Sequence, residues 1–301
     1  MGEPTAPDSS GDLHGLLTEV DRKLVGDHLY IKLALNTSSD FRDKLSNLIR
    51  ATYFDKKKSK ERLSRAAHDL TKFNGEKFEF TDEQIADALA EELDAVIPSG
   101  WRDGSDAPEH LDVRRSELAE IIGREALTVT SDCVVPASRI RHKEIPDQPT
   151  RGADVIGIES VNTPPLHTLL LGEVKGSGDR KSPPGVVAGM QTKLTQLTTD
   201  RRVLLQELLW LCDNADDEHV DLCHAVCLKF QFKTPLELVL TPILIRTTST
   251  AADTDPGKFA TDADSFNYCI RFISVILPTE DLYEFAVEIY SKARELGQDE
   301  R

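Results

Sequence analysis

Residues 151–176 read RGADVIGIESVNTPPLHTLLLGEVKG, and the rest of the chain can be interpreted outward from them. Two short apolar runs, Ala153 to Glu159 and Leu166 to Lys175, are separated by Asn-Thr-Pro-Pro at residues 162–165. Asn and Pro between apolar runs are typical of a turn. The stretch therefore predicts two β-strands that pair as a hairpin.

Three charged side chains lie at the ends of these strands. Asp154 opens the first strand, and Glu173 and Lys175 close the second, two residues apart and therefore on one face. In a hairpin these ends are neighbours, so two carboxylates and an ammonium are expected at one sheet edge. Paired carboxylates favour a hard cation such as Mg²⁺ or Mn²⁺. A metal-bound phosphate beside a lysine provides for phosphodiester hydrolysis, because the ion activates water and the ammonium stabilises the pentacovalent oxygens.

The net charge limits how the chain can hold nucleic acid. Its 301 residues carry 36 basic and 52 acidic side chains, a net charge of −16, which has the wrong sign for binding DNA through the overall field. Any contact with DNA must therefore be local. Four basic clusters are present, at residues 56–65, 139–143, 180–181 and 201–202, and the second and third flank the hairpin in sequence.

The remaining composition is that of a globular protein of the cytoplasm. No run approaches the roughly 18 apolar residues of a membrane span, and the first residues, MGEPTAPDSSGD, do not resemble a signal sequence. The five cysteines are odd in number and lie mostly in apolar runs, which is typical of buried thiols. Cys223-His224-x-x-Cys227 lies in a predicted strand without a second Cys or His pair, which argues against zinc.

The first half of the chain is predicted to be mainly helical. Residues 1–20 are polar and predicted to be disordered, and residues 21–112 form a helical region that ends in a linker rich in Gly, Pro and Asp. Thr81 and Gln84 form a capping box before an amphipathic helix. The predicted elements are a strand at 28–35 and helices at 41–54, 59–72 and 85–97.

The second half, residues 113–301, is predicted to alternate helices and strands around the hairpin. A helix over 113–127 is followed by a first strand within 128–142, then by the two hairpin strands. A long helix over 186–212 leads to predicted strands at 222–232, 236–247 and 268–277, and a final helix covers 280–296. The strand at 222–232 is expected to return parallel to the second hairpin strand through a right-handed crossover.

The chain resembles the PD-(D/E)XK nuclease superfamily in one motif, although the Pro of that name is absent. The motif consists of Asp154, an apolar strand and then Glu-x-Lys at residues 173–175, after 18 intervening residues. The resemblance implies an α/β fold with an αβββαβ core of mixed sheet and flanking helices. It implies a metal bound by Asp154, Glu173 and the Val174 carbonyl. A glutamate on the first core helix is expected to complete the catalytic and metal site. Glu117 is preferred over Glu120.

Lys175 would orient or help deprotonate the attacking water and stabilise the transition state, and a role as base requires a lowered pKa. Some members of the superfamily place a Gln on the helix after the Glu-x-Lys strand, which makes Gln191 a candidate accessory residue.

The segments SELAEIIGREAL, RGADVIGI and LLLGEVKGS are also similar to the HamA family of the bacterial Hachiman antiphage system, mainly over residues 113–232. This resemblance implies a Mg²⁺-dependent endodeoxyribonuclease that acts on DNA in a complex with a helicase or ATPase subunit resembling HamB. Two alternatives remain open. One is a non-catalytic interaction subunit with a nuclease-like fold, and the other is a stand-alone restriction-type endonuclease.

Overall fold

The computed structural model describes residues 13, 15–74, 79–100, 112–149, 151–162 and 165–295. Seven strands form one mixed sheet in the spatial order β1-β2-β7-β6-β5-β4-β3. The strands are β1 (Leu17–Val25), β2 (His28–Leu35), β3 (Cys133–Val134), β4 (Val155–Asn162), β5 (Pro165–Ser177), β6 (Glu237–Thr247) and β7 (Cys269–Leu277). The helices are α1 (Phe41–Tyr53), α2 (Lys56–Asn74), α3 (Asp82–Val96), α4 (Val113–Thr130), α5 (Val186–Thr199), α6 (Arg201–Asn214), α7 (Val220–Gln231), α8 (Lys258–Thr261) and α9 (Leu282–Glu295).

The sheet separates two apolar layers. On one face α1, α4 and α9 pack over Leu170 and Val174 of β5. On the other face α5, α6 and α7 pack over Leu169 and Leu171 of the same strand. Because side chains alternate along a strand, β5 is buried on both faces, which is why it reads as a nearly continuous apolar run.

The predicted hairpin is confirmed. β4 and β5 pair antiparallel, and Val155 lies opposite Gly172. The next position along each strand brings Asp154 beside Glu173. β5 then pairs in parallel with β6, which fixes the far side of the same strand. The α/β class is also confirmed, and the order α4-β3-β4-β5 follows the predicted helix and three strands.

Three element predictions in this half are wrong. Residues 222–231 of the predicted strand at 222–232 lie in helix α7, where Cys223, Val226 and Cys227 are buried at helical spacing. A short apolar run does not distinguish this pattern from a strand. The strand parallel to β5 is therefore β6, reached through three helices.

The predicted long helix over 186–212 is broken at Asp200, whose extended backbone lets its carboxylate cap α6. The predicted first core strand is reduced to β3, because α4 continues to Thr130.

The N-terminal half contributes to the same sheet. β1 and β2 form an antiparallel hairpin, and β2 pairs in parallel with β7. Residues 1–20 are predicted to be disordered, but β1 begins at Leu17, so this prediction is wrong for residues 17–20. The predicted helices are present as α1, α2 and α3, and the capping box of Thr81 and Gln84 is confirmed. The linker at 101–111, residues 1–12 and the turn at 163–164 lie outside the described residues.

In the part of the chain that the structure describes, no helix combines the length and apolar character needed to cross a membrane.

Candidate functional site

Asp154 and Glu173 lie side by side at the end of the hairpin. Asp154 directly precedes β4, and its Oδ2 accepts a hydrogen bond of 2.8 Å from the backbone N–H of Val174. The two carboxylates are buried, with side chains 7% and 1% exposed. The strand register alone therefore brings both acids to one point below the surface.

Lys175 completes the predicted trio. Its Nζ lies 2.6 Å from Glu173 Oε1 and 3.3 Å from Asp154 Oδ2, and it donates a hydrogen bond of 2.9 Å to the Val174 carbonyl. The structure thus brings together all three residues that the Asp and Glu-x-Lys spacing selected. Their roles in catalysis and metal binding stay predictions.

A second lysine, Lys193 of α5, enters the same cluster and was missed by the sequence analysis. Its Nζ donates a hydrogen bond of 2.9 Å to Asp154 Oδ1. It also lies 2.6 Å from Glu173 Oε2, a contact at ion-pair distance without the angles of a hydrogen bond. The sequence signal that could have identified Lys193 is its position next to Leu194, which lies on the buried apolar stripe of α5. The candidate accessory residue Gln191 is half-buried two positions earlier on this helix.

The protonation of the cluster follows from burial and from the mutual charges. Burial and the negative charge of Asp154 raise the pKa of Glu173 to about 7. Burial would raise the pKa of Asp154, but Lys175 and Lys193 lower it overall. Burial alone would lower the pKa of Lys175, whereas Asp154 and Glu173 raise it above its ordinary value. Lys175 is therefore a stable cation here, which opposes its predicted role as a base.

Glu117, the preferred helix carboxylate, is engaged elsewhere. It accepts a hydrogen bond from the Tyr53 hydroxyl and pairs with the Lys143 ammonium, and its side chain is 1% exposed. Tyr53 is itself hydrogen-bonded to the Tyr290 hydroxyl at 2.9 Å. Burial raises the pKa of Glu117 to about 7 against the opposing effect of Lys143. This carboxylate belongs to a closed network between α1, α4 and α9.

Glu120, one turn further along α4, is the helix carboxylate that faces the site. It lines a small cavity together with Asp154 and Thr52, and its buried Oε2 has no hydrogen-bond partner among the described residues. Burial and the charge of Asp154 raise its pKa well above the ordinary value. The position of Glu120 rather than Glu117 therefore matches the expected helix carboxylate. The two lie on neighbouring turns of one helix, so their spacing in sequence did not separate them.

Close contact between α4 and β5 brings Glu120 into the cavity beside Asp154. A Cβ atom at Gly123 would lie 2.8 Å from Val174 Cγ1, closer than side-chain atoms normally approach. A glycine at this position lets the helix backbone rest directly on the strand between Glu173 and Lys175.

Two side chains from outside the hairpin hold the residue that precedes Asp154. Arg139 Nε donates to the Ala153 carbonyl at 3.2 Å, and Glu207 Oε2 accepts from the Ala153 N–H at 3.0 Å. Arg139 and Glu207 also form an ion pair of 2.5 Å, and the guanidinium stacks on Trp210. A side chain at Gly152, whose φ is +100°, would collide with Arg139. Both peptide groups of residue 153 are thereby fixed.

These contacts remove one of the basic clusters from consideration as a DNA surface. Arg139 is paired with Glu207, and Lys143 is paired with Glu117. Arg141 donates to Asp216 and to the backbone carbonyls of Ala51 and Thr52. The cluster at 139–143 therefore holds the protein together around the site.

The oxygen donors of the site fit a hard divalent cation in type. Asp154 and Glu173 converge on the same two ammonium groups, so both carboxylates already point toward shared positive charge. The Val174 carbonyl and the unpartnered Glu120 Oε2 are further oxygen donors. No three Asp, Glu, His or Cys side chains in the described ranges are clustered tightly enough to hold an ion by themselves. An ion would therefore rely on two carboxylates together with a carbonyl, water or substrate oxygens.

Comparison with known proteins places the chain in one family. A family model described as HamA matches residues 16–293. No curated protein matches the chain.

Proposed function

Because the chain belongs to the HamA family, whose model spans residues 16–293, we propose that it is a metal-dependent DNA nuclease. We further propose that its core is of the PD-(D/E)XK type, and that it is the effector subunit of an antiphage defence complex with a helicase partner. Residues 113–301 would form the nuclease domain, and Mg²⁺ or Mn²⁺ would be the cofactor.

The buried cluster of Asp154, Glu173, Lys175 and Lys193 is the observation that carries this proposal. Burial and mutual repulsion disfavour two adjacent carboxylates below the surface, and both effects raise the pKa of Glu173. Such groups with perturbed pKa values are concentrated at functional sites, which supports a cation site here. Without an ion, Lys175 and Lys193 neutralise the negative charge of the two carboxylates. A bound divalent ion would take over part of this neutralisation.

Each residue of the cluster has a distinct part in the proposed reaction. Asp154 and Glu173 would hold the ion, with the Val174 carbonyl, and Glu120, which lines a cavity with Asp154, would bind the ion or a water beside it. A bound Mg²⁺ supplies an activated water and neutralises charge on the phosphate. Lys175 is charged and only partly buried, so it can donate hydrogen bonds to phosphate oxygens as negative charge develops on them. Lys193 holds both carboxylates in position from the α5 side.

The helicase partner is proposed from family membership, and the charge of the chain is consistent with it. A chain with a net charge of −16 attracts DNA poorly by itself, so delivery by a DNA-tracking partner would compensate. A stand-alone endonuclease would instead cut DNA without a helper.

A non-catalytic role remains the second candidate, because the four charged groups already satisfy one another. Nicking of supercoiled plasmid separates the candidates. Wild type and Asp154→Asn are each incubated with Mg²⁺, Mn²⁺ or EDTA, alone and with any helicase encoded beside the gene. Nicking by wild type that requires metal and is lost in Asp154→Asn supports the nuclease. Equal inactivity of both proteins under every condition would support the non-catalytic subunit.

A further inference from the structure

Helix α2 has a charge opposite to that of the whole protein. It carries seven Lys or Arg side chains and two acidic ones over residues 56–74, in a chain of net charge −16. None of the side chains described on this helix is buried. An exposed helix of about 28 Å with this composition attracts polyanions rather than completing an apolar core.

Two exposed lysines of α2, Lys57 and Lys60, take no part in the ion pairs that hold the helix in place among the described residues. Arg62 forms an ion pair with Glu92 of α3, which ties the middle of α2 to the protein. Lys56, Lys57 and Lys60 line a shallow depression on the surface together with Glu61 and Ser64, so three cations outnumber one carboxylate there. Lys57 and Lys60 have no ion pair or hydrogen bond with any described side chain. The ammonium groups of these last two lysines are therefore available to a ligand.

This basic face begins next to the carboxylate cavity. Thr52, near the end of α1, lines the cavity with Glu120 and Asp154. Only Phe54 and Asp55 separate α1 from α2, and Asp55 Oδ1 accepts a hydrogen bond of 3.0 Å from the Lys58 N–H, which fixes the first turn of α2.

A second observation shows that α2 starts close to the segment that borders the site. Arg141 donates to the carbonyls of Ala51 and Thr52, which ties residues 140–142 to the end of α1. Burial, then Arg141 and the nearby charge of Lys58, lower the pKa of His142. The first turn of α2 therefore lies close to residues that line the carboxylate cavity, Thr52 at the end of α1 and Ile140 beside Arg141.

We propose that the face of α2 formed by Lys56, Lys57 and Lys60 binds the phosphate backbone of duplex DNA beside the bond that is cut. The identity of the ligand rests on the proposed nuclease function, whereas the location rests on the structure. A phosphodiester that reaches the buried carboxylates belongs to a strand that extends beyond them, and the neighbouring phosphates require a basic surface. The adjoining face of α2 meets that requirement in an otherwise acidic chain.

The test compares two variants with the same change in charge. Lys57→Gln/Lys60→Gln removes the proposed contacts. Lys23→Gln/Lys233→Gln removes two lysines that are remote from the site, on β1 at the opposite sheet edge and before β6. Both are made in an Asp154→Asn background to prevent cleavage, and melting followed by circular dichroism checks the fold. Anisotropy of a labelled 30-base-pair DNA is recorded against salt, without divalent ions, for the chain alone and with its helicase.

We expect Lys57→Gln/Lys60→Gln to weaken DNA binding on the order of tenfold at low salt and to reduce the slope of log K against log salt by about 2, as for two lost phosphate contacts. The control should match the Asp154→Asn parent.

Equal affinity and slope in both variants would overturn the proposal, as would absence of DNA binding in every form. Unchanged DNA binding with loss of helicase binding, or preference for an RNA duplex of the same sequence, would also overturn it. Binding that depends on these lysines in a protein that never cuts DNA would contradict the nuclease function alone.

Discussion

Lys193 Nζ lies 2.6 Å from Glu173 Oε2, although the two residues belong to different elements on the two sides of the site. The same ammonium donates to Asp154 Oδ1 at 2.9 Å, so one lysine of α5 bridges both carboxylates of the hairpin. Glu173 is in turn held by Lys175 through its other oxygen at 2.6 Å. The carboxylate pair is therefore organised by one cation from its own strand and one from the helix above it.

Replacing Lys193 should impair cleavage without unfolding the protein. Lys193→Met keeps the aliphatic stem but removes the charge that holds both carboxylates. We expect the single-turnover rate constant for DNA nicking to fall by about 100-fold, as for loss of one preorganised electrostatic contact. The measurement is single-turnover nicking with saturating Mg²⁺ and helicase. Gln196→Ala, at an exposed position on the same helix, is the control and should remain within about twofold of wild type. Equal loss in both variants would point to disruption of α5 instead.

Glu120 and Glu117 should differ in their effect on metal binding. Glu120→Gln removes a carboxylate whose buried Oε2 has no described partner and which lines the cavity with Asp154, and we expect Mn²⁺ affinity to fall by at least about tenfold. Glu117→Gln alters the network with Tyr53 and Lys143 and should leave Mn²⁺ affinity nearly unchanged. Titration with Mn²⁺ followed by electron paramagnetic resonance measures both. Loss of affinity only in Glu117→Gln would restore the sequence-based preference for Glu117.

Glu117 should also make stability depend on pH. Its folded-state pKa of about 7 lies above the ordinary value of 4.5, so the native state binds the proton more tightly than the unfolded state does. The resulting stabilisation is complete below about pH 4.5 and is lost as the pH rises through 7. A shift of this size corresponds to about 3 kcal/mol.

The check is urea unfolding of wild type and Glu117→Gln between pH 5 and pH 8. The free energy of unfolding of wild type, relative to the variant, should decrease over this range, because the side-chain amide of the variant does not titrate. A constant difference between the two proteins would show that the carboxyl does not hold a proton in the native state. Titration of groups that do not interact with residue 117 cancels in this comparison.

The buried pair of Arg246 and Asp255 should be a large contributor to stability near the site. Arg246 at the end of β6 is fully buried and donates to Asp255 at 3.0 Å and to the carbonyls of Ser177 and Thr250. Arg246→Met leaves Asp255 without its cation in the interior, and we expect a loss of about 3 to 5 kcal/mol in the free energy of unfolding. Arg246→Met/Asp255→Asn should recover part of that loss. Urea unfolding of the single and double variants tests this, and additive losses would contradict it.

The hairpin and its charged ends were predictable because local rules act on adjacent residues. Asn and Pro at 162–165 predict a reversal of the chain, and Asn162 and Pro165 are indeed partners across the hairpin. The apolar runs on either side bring Asp154 and Glu173 to the same end. The capping box at Thr81 and Gln84 is likewise a relation across three residues. Such features need no knowledge of the remaining chain.

The rest of the site depends on packing between distant segments. Lys193 meets Asp154 only because α5 crosses the sheet at one particular position, which its own sequence does not determine. Glu117 and Glu120 both lie toward the inner side of α4, but they meet different neighbours. Glu117 contacts Tyr53 of α1, and Glu120 lies beside Asp154 of the hairpin. The pattern of residues 222–232 predicts a strand instead of helix α7 because the apolar run is too short to establish a period.

The proposed function depends above all on the carboxylate pair at the end of the hairpin being a catalytic metal site for DNA cleavage. Its most direct test is Mg²⁺-dependent nicking of plasmid by the helicase complex containing either wild type or Glu173→Gln, with the fold of each checked by thermal melting. We expect wild type to nick DNA only with the metal, and Glu173→Gln to lose this activity while remaining folded. Nicking by Glu173→Gln at the wild-type rate would show that the carboxylate pair is not the catalytic site.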